Sequence, residues 1–355
     1  MIMKVVVTGG SGFIGSHVCE HFASLGNAVV AYDNLSRASM FQKKEGKISQ
    51  SNWEFLKTLR HVKTVRGSIL DYSKLKSVMD DTDAIVHTAA QTAVTTSLTD
   101  PRTDFSTNLL GTFNVLEAAR NAKSNPCVVF CSTNKVYGES VNAVEIVKKK
   151  KRYAYADPKF KGIPESFSID QSKHTPYGCS KLGADLYVQD YAHTYGLRTA
   201  VFRMSCIYGP RQFGVEDQGW VAWFVIANLT GTPVTIYGDG KQVRDVLFVK
   251  DLVRAYEAFI NSNIKRGVYN MGGGAKNTIS VLELMELIES WSMRKFKASH
   301  GNWRAGDQKV YISDISKASE ELDWSPKVGV ERGVRELYEW VQKNTDLFKS
   351  QEQNH

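Results

Sequence analysis

Tyr177 and Lys181 stand four residues apart in PYGCSK, where a helical pattern begins. That spacing places both side chains on one helix face, one turn apart. A phenol beside an ammonium is a candidate pair for moving a proton, since a neighbouring positive charge favours the phenolate. Thr133, in the polar patch CSTNKVYG that ends the apolar run PCVVF, adds a hydroxyl that can hold whatever the phenol acts on. Alone, each has a plainer reading. A Tyr and Lys at this spacing usually mark a half-exposed helix face, and a strand-end Ser or Thr usually caps backbone.

The proton pair gains meaning from a second group at the N-terminus. TGGSGFIG sets Gly9, Gly12 and Gly15 as G-x-x-G-x-x-G between an apolar strand and a helical run. Glycines there let the backbone turn tightly and approach a pyrophosphate that rests on the helix N-terminus. Asp33 ends the second strand candidate, where an acid accepts from an adenosine ribose and repels a 2′-phosphate, favouring NAD over NADP. Arg37, close by, keeps NADP in play. Beside a nicotinamide ring, Tyr177 would take a proton from a sugar hydroxyl as hydride leaves for the ring, with Lys181 and the ring's charge lowering the tyrosine pKa.

These residues need elements to position them. From Met3 to about Ile207 the runs KVVVTG, NAVVAYD, VKTVRGS, DAIVHTA, PCVVFCS and LRTAVFRMS are apolar without alternation, as parallel strands covered on both faces require. Helical periodicity separates them, in FIGSHVCEHFASLG, around Tyr72 to Asp80, in TDFSTNLLGTFNVLEAARNAK and in SKLGADLYVQDYAHTYG. This is βαβ alternation, and the expected fold is α/β: a Rossmann-type doubly wound parallel sheet with a smaller C-terminal substrate-binding lobe. The expected domains are 1–207, with an insertion at about 140–173, and 208–349, which includes segments able to return to the sheet; 350–355 is a tail. The polar stretches Ser36 to Leu59 and Ser140 to Lys173 read as a lid or specificity insertion, otherwise as disordered loops. Trp220, Trp223 and Phe224 read as base-stacking or core, with at least one in the core. His87, ending a buried strand, reads as a satisfied structural histidine. The amphipathic stretches ISVLELMELIESW and VERGVRELYEWVQKN read as helices.

The 355-residue chain has a net charge of +8, from 45 Lys and Arg against 37 Asp and Glu. Much of the excess sits in VKKKKRY, read as a solvated loop. No basic helix, zinc pattern or aromatic-basic motif accompanies it, so nucleic acid is set aside and an anionic small-molecule substrate suits the charge. Cys19, Cys127, Cys131, Cys179 and Cys206 show no metal-like spacing and, being odd in number, no disulfide framework. No metal is expected. The chain enters MKVVVTGG directly and no apolar stretch reaches about 18 residues, so neither signal peptide nor membrane span is expected and the localisation reads as cytoplasmic.

TGGSGFIG, Asp33, HTAA, Asn108, STNKVYG and YGCSK together resemble the extended short-chain dehydrogenase/reductase family of NAD-dependent nucleotide-sugar epimerases and dehydratases. YGPRQ, VRDVLFVKDL and RAGD extend the resemblance over nearly the whole chain. It implies a catalytic trio of Thr133, Tyr177 and Lys181. It implies NAD held by Gly9, Gly12, Phe13, Ile14, Gly15, Asp33, Asn34, Ser36, Arg37, Ser68, Ile69, Ala89, Ala90, Gln91 and Asn108 together with Tyr177 and Lys181. The nucleotide-diphosphate sugar would meet Thr133, Asn134, Cys206, Arg211, Gln218, Trp220, Arg244, Arg304 and Asp307, the two arginines Arg244 and Arg304 on the diphosphate. A homodimer or homotetramer is implied as well.

Dehydratases of the family carry Asp-Glu after the Thr, an acid and base that expel water. Asn134 and Lys135 replace them here, and an amide and an ammonium do neither job, so dehydration is disfavoured. STNKVYG and DQGW with a following WF narrow the resemblance to family members that invert C2 of a CDP-linked deoxyhexose. A UDP- or GDP-hexose 4-epimerase is the alternative, and a non-catalytic NAD-binding regulator the reading from another class. Cys206 departs from the Asn that many relatives carry before YGP.

Overall fold

The computed structural model describes residues 2–36, 46–304 and 306–348, with the side chains of 46–49 left aside. Its strands are β1 (Lys4–Thr8), β2 (Ala28–Asp33), β3 (Val62–Arg66), β4 (Ala84–His87), β5 (Cys127–Thr133), β6 (Ile146–Lys148), β7 (Tyr153–Tyr155), β8 (Thr199–Met204), β9 (Cys206–Tyr208), β10 (Val234–Tyr237), β11 (Val243–Phe248), β12 (Arg266–Met271), β13 (Thr278–Ser280), β14 (Ala298–Gly301) and β15 (Val310–Tyr311). The helices are α1 (Phe13–Ser24), α2 (Gly46–Thr58), α3 (Tyr72–Met79), α4 (Val94–Thr99), α5 (Pro101–Phe105), α6 (Gly111–Arg120), α7 (Pro176–Thr194), α8 (Trp220–Thr230), α9 (Val249–Asn261), α10 (Val281–Ser292), α11 (Ser316–Leu322) and α12 (Val330–Lys343). A π-helical turn, Ser106–Leu110, joins α5 to α6.

The chain forms two compact units. The first comprises Met1–Lys135, Pro176–Arg203 and Val253–Tyr269. It is built on a seven-stranded sheet in the order β12-β8-β5-β4-β1-β2-β3. All six strands expected from the apolar runs are present, and the register is parallel from β3 through β5. Such strands bury both faces, which is why β4 and β5 are buried at every position. Val6, Val30, Ile85, Val128 and Phe130 meet Leu116, Val188 and Tyr191 of the covering helices in one apolar cluster.

The second unit comprises Val136–Thr175, Met204–Leu252 and Asn270–His355. Its core gathers Val225 and Ile226 of α8, Leu284 and Ile288 of α10, and Val334, Leu337 and Val341 of α12 around Tyr208 and Phe248. Both amphipathic stretches are helices, α10 starting with a capping box in which Ser280 and Glu283 satisfy one another's backbone N–H.

Two polar stretches depart from expectation. Gly46–Thr58 is helical rather than loop, because Trp53 and Leu56 bury a narrow apolar stripe; residues 37–45 lie outside the described ones, as does the tail 350–355. The insertion at 140–173 belongs to the second unit, and its lysine run is an antiparallel hairpin of β6 and β7. Lys148 pairs with Asp239, Lys151 with Glu286 and Arg152 with Glu283, so the run is anchored rather than freely solvated.

Candidate active site

In the first unit, the Gly-rich turn leaves β1 with Gly9 at φ 68°, a conformation that favours glycine. A Cβ on Gly9 would lie 2.6 Å from the Ala89 nitrogen, and one on Gly15 would lie 2.1 Å from the Gly9 carbonyl. The turn therefore packs directly on the end of β4 and on the start of α1. Gly12 is the N-cap of α1 and offers no side chain to the first-turn N–H groups of Phe13, Ile14 and Gly15. Only the Gly9 oxygen comes within 4 Å of a Cβ built on Gly12. A pyrophosphate needs those two conditions, open N–H groups and backbone free of side chains.

Asp33 ties the end of β2 to this turn. Its Oδ2 accepts from the Ser11 nitrogen at 3.0 Å and its Oδ1 from the Leu35 nitrogen at 2.7 Å. Asn34 and Ser36 follow on the surface, with the Ser36 nitrogen donating to Asn34 Oδ1; Arg37 lies outside the described residues. Gly67 donates to the Asp33 carbonyl, bringing Ser68 and buried Ile69 alongside. Ala89, Ala90 and Gln91 run on from β4, and the Gln91 nitrogen donates to Asn108 Oδ1 at 2.9 Å. Asn108 itself stands in the π-helical turn, a widening that recurs at functional sites. The donors and the cradle fit NAD.

Thr133 at the end of β5 and Tyr177 and Lys181 on the first turns of α7 are all buried. The Thr133 hydroxyl hydrogen-bonds the Tyr177 phenol, which favours the phenolate, yet burial wins and pushes Tyr177 up to about 12. The expected lowering by Lys181 is thus not what the chain alone produces. Lys181 Nζ is committed elsewhere: it donates to the Cys131 carbonyl at 2.6 Å and lies 4.1 Å from the Phe130 ring centroid. Burial also brings Lys181 down to about 8. Asn134 is buried next to Thr133, whose Oγ1 donates to Asn134 Oδ1 at 3.4 Å, and the Lys135 nitrogen donates to Thr133 Oγ1. His87 is held between Thr8 and Thr112 hydroxyls at 2.6 and 3.0 Å, and burial lowers it to about 3, as a structural histidine.

Sequence reasoning missed the supports of this cluster. Asp104 accepts from Ser180 and Asn108, and Ser97 Oγ accepts from the Tyr177 nitrogen at 3.2 Å. Asp185, fully buried, receives Ser132, Gln189 and Arg203. Helical spacing was the available signal: Asp104 precedes Asn108 by four residues and Asp185 follows Lys181 by four.

The second unit brings together a different group. Arg244 donates to Asp307 Oδ1 at 2.6 Å. Arg304 pairs with Asp217 at 3.0 Å and lays its guanidinium 3.9 Å from the Tyr237 ring centroid. Arg304 and Asp307 line a cavity of about 390 Å³ with Asn142, Trp303 and Lys309. Trp220 Nε1 donates to Cys206 Sγ at 3.3 Å, Gln218 closes a tight turn with Val215, and half-buried Arg211 adopts φ 63°. Phe224 is core, while Trp220 and Trp223 pack half-buried against it. Among the described residues no three His, Cys, Asp or Glu gather as for a metal, no disulfide joins the cysteines, and no helix is long and apolar enough to cross a membrane.

The sequence profile of the NAD dependent epimerase/dehydratase family matches residues 5–272. CDP-paratose 2-epimerase of Salmonella typhi is 40% identical over 348 residues, 96% of this chain and 99% of that protein. The crystal structure of UDP-glucose 4-epimerase from Thermotoga maritima, with UDP-glucose, superposes with a TM-score of 0.79 at 30% identity, covering 97% of this chain and all (100%) of the other. UDP-glucuronic acid 4-epimerase from Bacillus cereus, in complex with UDP-glucuronic acid and NAD, gives 0.78 at 26% identity, with 96% and 100% covered.

Proposed function

The chain belongs to the NAD-dependent epimerase/dehydratase family, and on that premise we propose that it is a nucleotide-sugar epimerase inverting C2 of a CDP-linked deoxyhexose, of the kind that relates CDP-paratose to CDP-tyvelose. Bound NAD supplies a reversible hydride acceptor, so oxidation of the sugar carbon and its reduction from the other face consume no cofactor. The first-unit residues named above hold it: the Gly9–Gly15 turn at the pyrophosphate, Asp33 at the ribose.

Tyr177 is the base and acid of the scheme. It takes the proton of the sugar hydroxyl while Thr133 holds that hydroxyl, and gives it back after the ketone has turned over. Burial opposes the phenolate and the Thr133 hydrogen bond favours it, so the further positive charge that the phenolate needs would come from the bound nicotinamide ring. Arg244 and Arg304 are assigned to the nucleotide diphosphate, with Asp307 holding Arg244 and with Gln218, Trp220, Cys206 and Arg211 around the sugar or base. Guanidinium forks suit that anion.

The observation that carries the reading is the buried Thr133–Tyr177 pair with an amide, Asn134, beside it in place of a carboxyl acid. It supports oxidation of an alcohol without elimination of water. Choice of C2 rests on the likeness to the 2-epimerase; the two solved 4-epimerases favour inversion at C4 as the second reading.

We further assign the exposed apolar residues Leu98, Phe105, Leu110, Phe113, Leu186 and Tyr187 to a contact with a second copy of the chain. The expected compartment is the cytoplasm, where nucleotide sugars and NAD are supplied.

Proton NMR in heavy water, with no NAD added and a panel of nucleotide hexoses including CDP-paratose and CDP-tyvelose, tests the proposal. Inversion at C2 without solvent deuterium is the expected result. Inversion at C4 would transfer the assignment to the second reading, and no inversion of any substrate would overturn both.

A further inference from the structure

Asp104 is fully buried on α5, in the first unit, and among the described residues it makes no ion pair. Both of its oxygens accept: Ser180 Oγ donates to Oδ2 at 2.5 Å and Asn108 Nδ2 donates to Oδ1 at 3.0 Å. With Ser180 and Asn108 as donors, the site is arranged for the ionised carboxylate. Burial raises its pKa, against the opposing pull of the Ser180 hydrogen bond and the Lys181 charge. A bare buried carboxylate is costly, because desolvation penalises the charge and only hydrogen bonds offset it. An amide or a hydroxyl would join the same two partners at lower cost, so the charge itself needs a reason.

The surroundings supply one. Ser180 lies between Tyr177 and Lys181 on α7, and its Oγ is 3.1 Å from the Tyr177 carbonyl. Asn108 exchanges hydrogen bonds with the Gln91 backbone, at 2.9 and 3.1 Å, and also donates to Ser180 Oγ at 3.1 Å. Asp104 therefore closes a ring that fixes the first turn of the catalytic helix to the loop after β4. The charged and titratable groups that feel it are Tyr177 and Lys181 on α7, and Lys181 in turn is coupled to Cys131 on β5, Asp185 on α7 and His87 on β4. Towards Tyr177 its charge opposes the phenolate; towards Lys181 it favours the ammonium.

We propose that Asp104 is a positioning residue for the reaction, a buried carboxylate that clamps Ser180 and Asn108 and so registers Tyr177 and Lys181 against Gln91, while its negative charge sets the pH range in which Tyr177 exchanges a proton. The inference rests on Tyr177 being the base assigned above. Fixed charge in the clamp keeps Lys181 cationic to higher pH and holds the tyrosine proton on until substrate and cofactor are in place. The working range of the enzyme lies further to the alkaline side than an uncharged clamp would give.

Asp104→Asn tests the charge with little change of shape. Its amide can donate to Ser180 Oγ, leaving the Ser180 hydroxyl to donate to the Tyr177 carbonyl, while its Oδ1 still accepts from Asn108. The ionisation of Tyr177 is read by tyrosinate absorbance, as the difference between each protein and its Tyr177→Phe counterpart, and the pH profile of turnover is read beside it. In Asp104→Asn the tyrosine titration and both limbs of the profile should move to lower pH, by on the order of one pH unit. A loss of rate at all pH values with neither the titration nor the limbs moved would reduce Asp104 to a structural residue and overturn the proposal. If Asp104→Asn does not fold, the smaller uncharged Asp104→Ser gives the same comparison: a move to lower pH supports the proposal and unmoved curves overturn it. The absorbance titration needs no substrate: a shift there in a protein that epimerises nothing would uphold Asp104 and sink the assigned reaction instead.

Discussion

On the proposed reading, Asn134 is where a single side chain separates epimerisation from dehydration. It is buried, it touches the Thr133 hydroxyl, and Thr133 touches the Tyr177 phenol. Asn134→Asp would set a carboxylate two hydrogen bonds from the base. A like charge so close raises the tyrosine further, and raising its pKa by about one costs roughly tenfold in phenolate at fixed pH. Turnover at neutral pH is expected to fall at least about tenfold, with the acid limb of the profile moved to higher pH. An unchanged rate would make Asn134 a bystander. The trio and Asn134 were legible in the sequence because local spacing and strand ends announce them. Asp104 was not: an acid in TDFSTN looks like a solvated helix residue, and its complete burial is a property of what folds over it.

At the scale of elements, α7 carries Tyr177 and Lys181, the residues proposed for the chemistry, and Asp185 anchors α7. Arg203 of β8 reaches Asp185 through Nε at 3.0 Å and Nη2 at 3.1 Å, and Ser132 of β5 adds a bond at 2.7 Å. Helix and two sheet strands are thereby locked by one buried charge pair, with Arg203 and Asp185 both shielded from water. Removing one partner leaves the other charged and uncompensated. Arg203→Ala is therefore expected to cost about 3–5 kcal/mol in urea unfolding, well beyond the loss of its apolar stem. A cost near zero would mean that water or Gln189 replaces the guanidinium. Parallel strands and amphipathic helices were legible because burial writes itself into continuous or periodic apolar runs. The hairpin of β6 and β7 was hidden, since its lysines mask any alternation and its fastening depends on Asp239, Glu283 and Glu286, all more than 80 residues downstream.

At the scale of the whole molecule, chain order and spatial order part company. The chain crosses between the units at Arg203, and 136–175 folds with the second unit and 253–269 with the first. A sequence read from left to right has no signal for such exchange, because each piece is apolar in the ordinary way and only its partner differs. The first unit also leaves an imbalance. Phe113 of α6 and Tyr187 of α7 form an edge-to-face pair with centroids 5.9 Å apart, and both remain exposed, near Leu110 and Leu186 in sequence. An exposed aromatic pair on neighbouring helices, with exposed leucines beside it in sequence, is the kind of surface that suits the proposed contact with a second copy. If a second copy covers it, the contact is isologous, so every substitution acts twice. Tyr187→Glu would bury two unpaired carboxylates at one interface. Sedimentation equilibrium should then give twice the 39.7 kDa chain mass, or a multiple of that, for the wild type and the single-chain mass for the variant. A monomeric wild type would leave this face to another partner, whereas a variant that stays dimeric would move the interface away from α6 and α7.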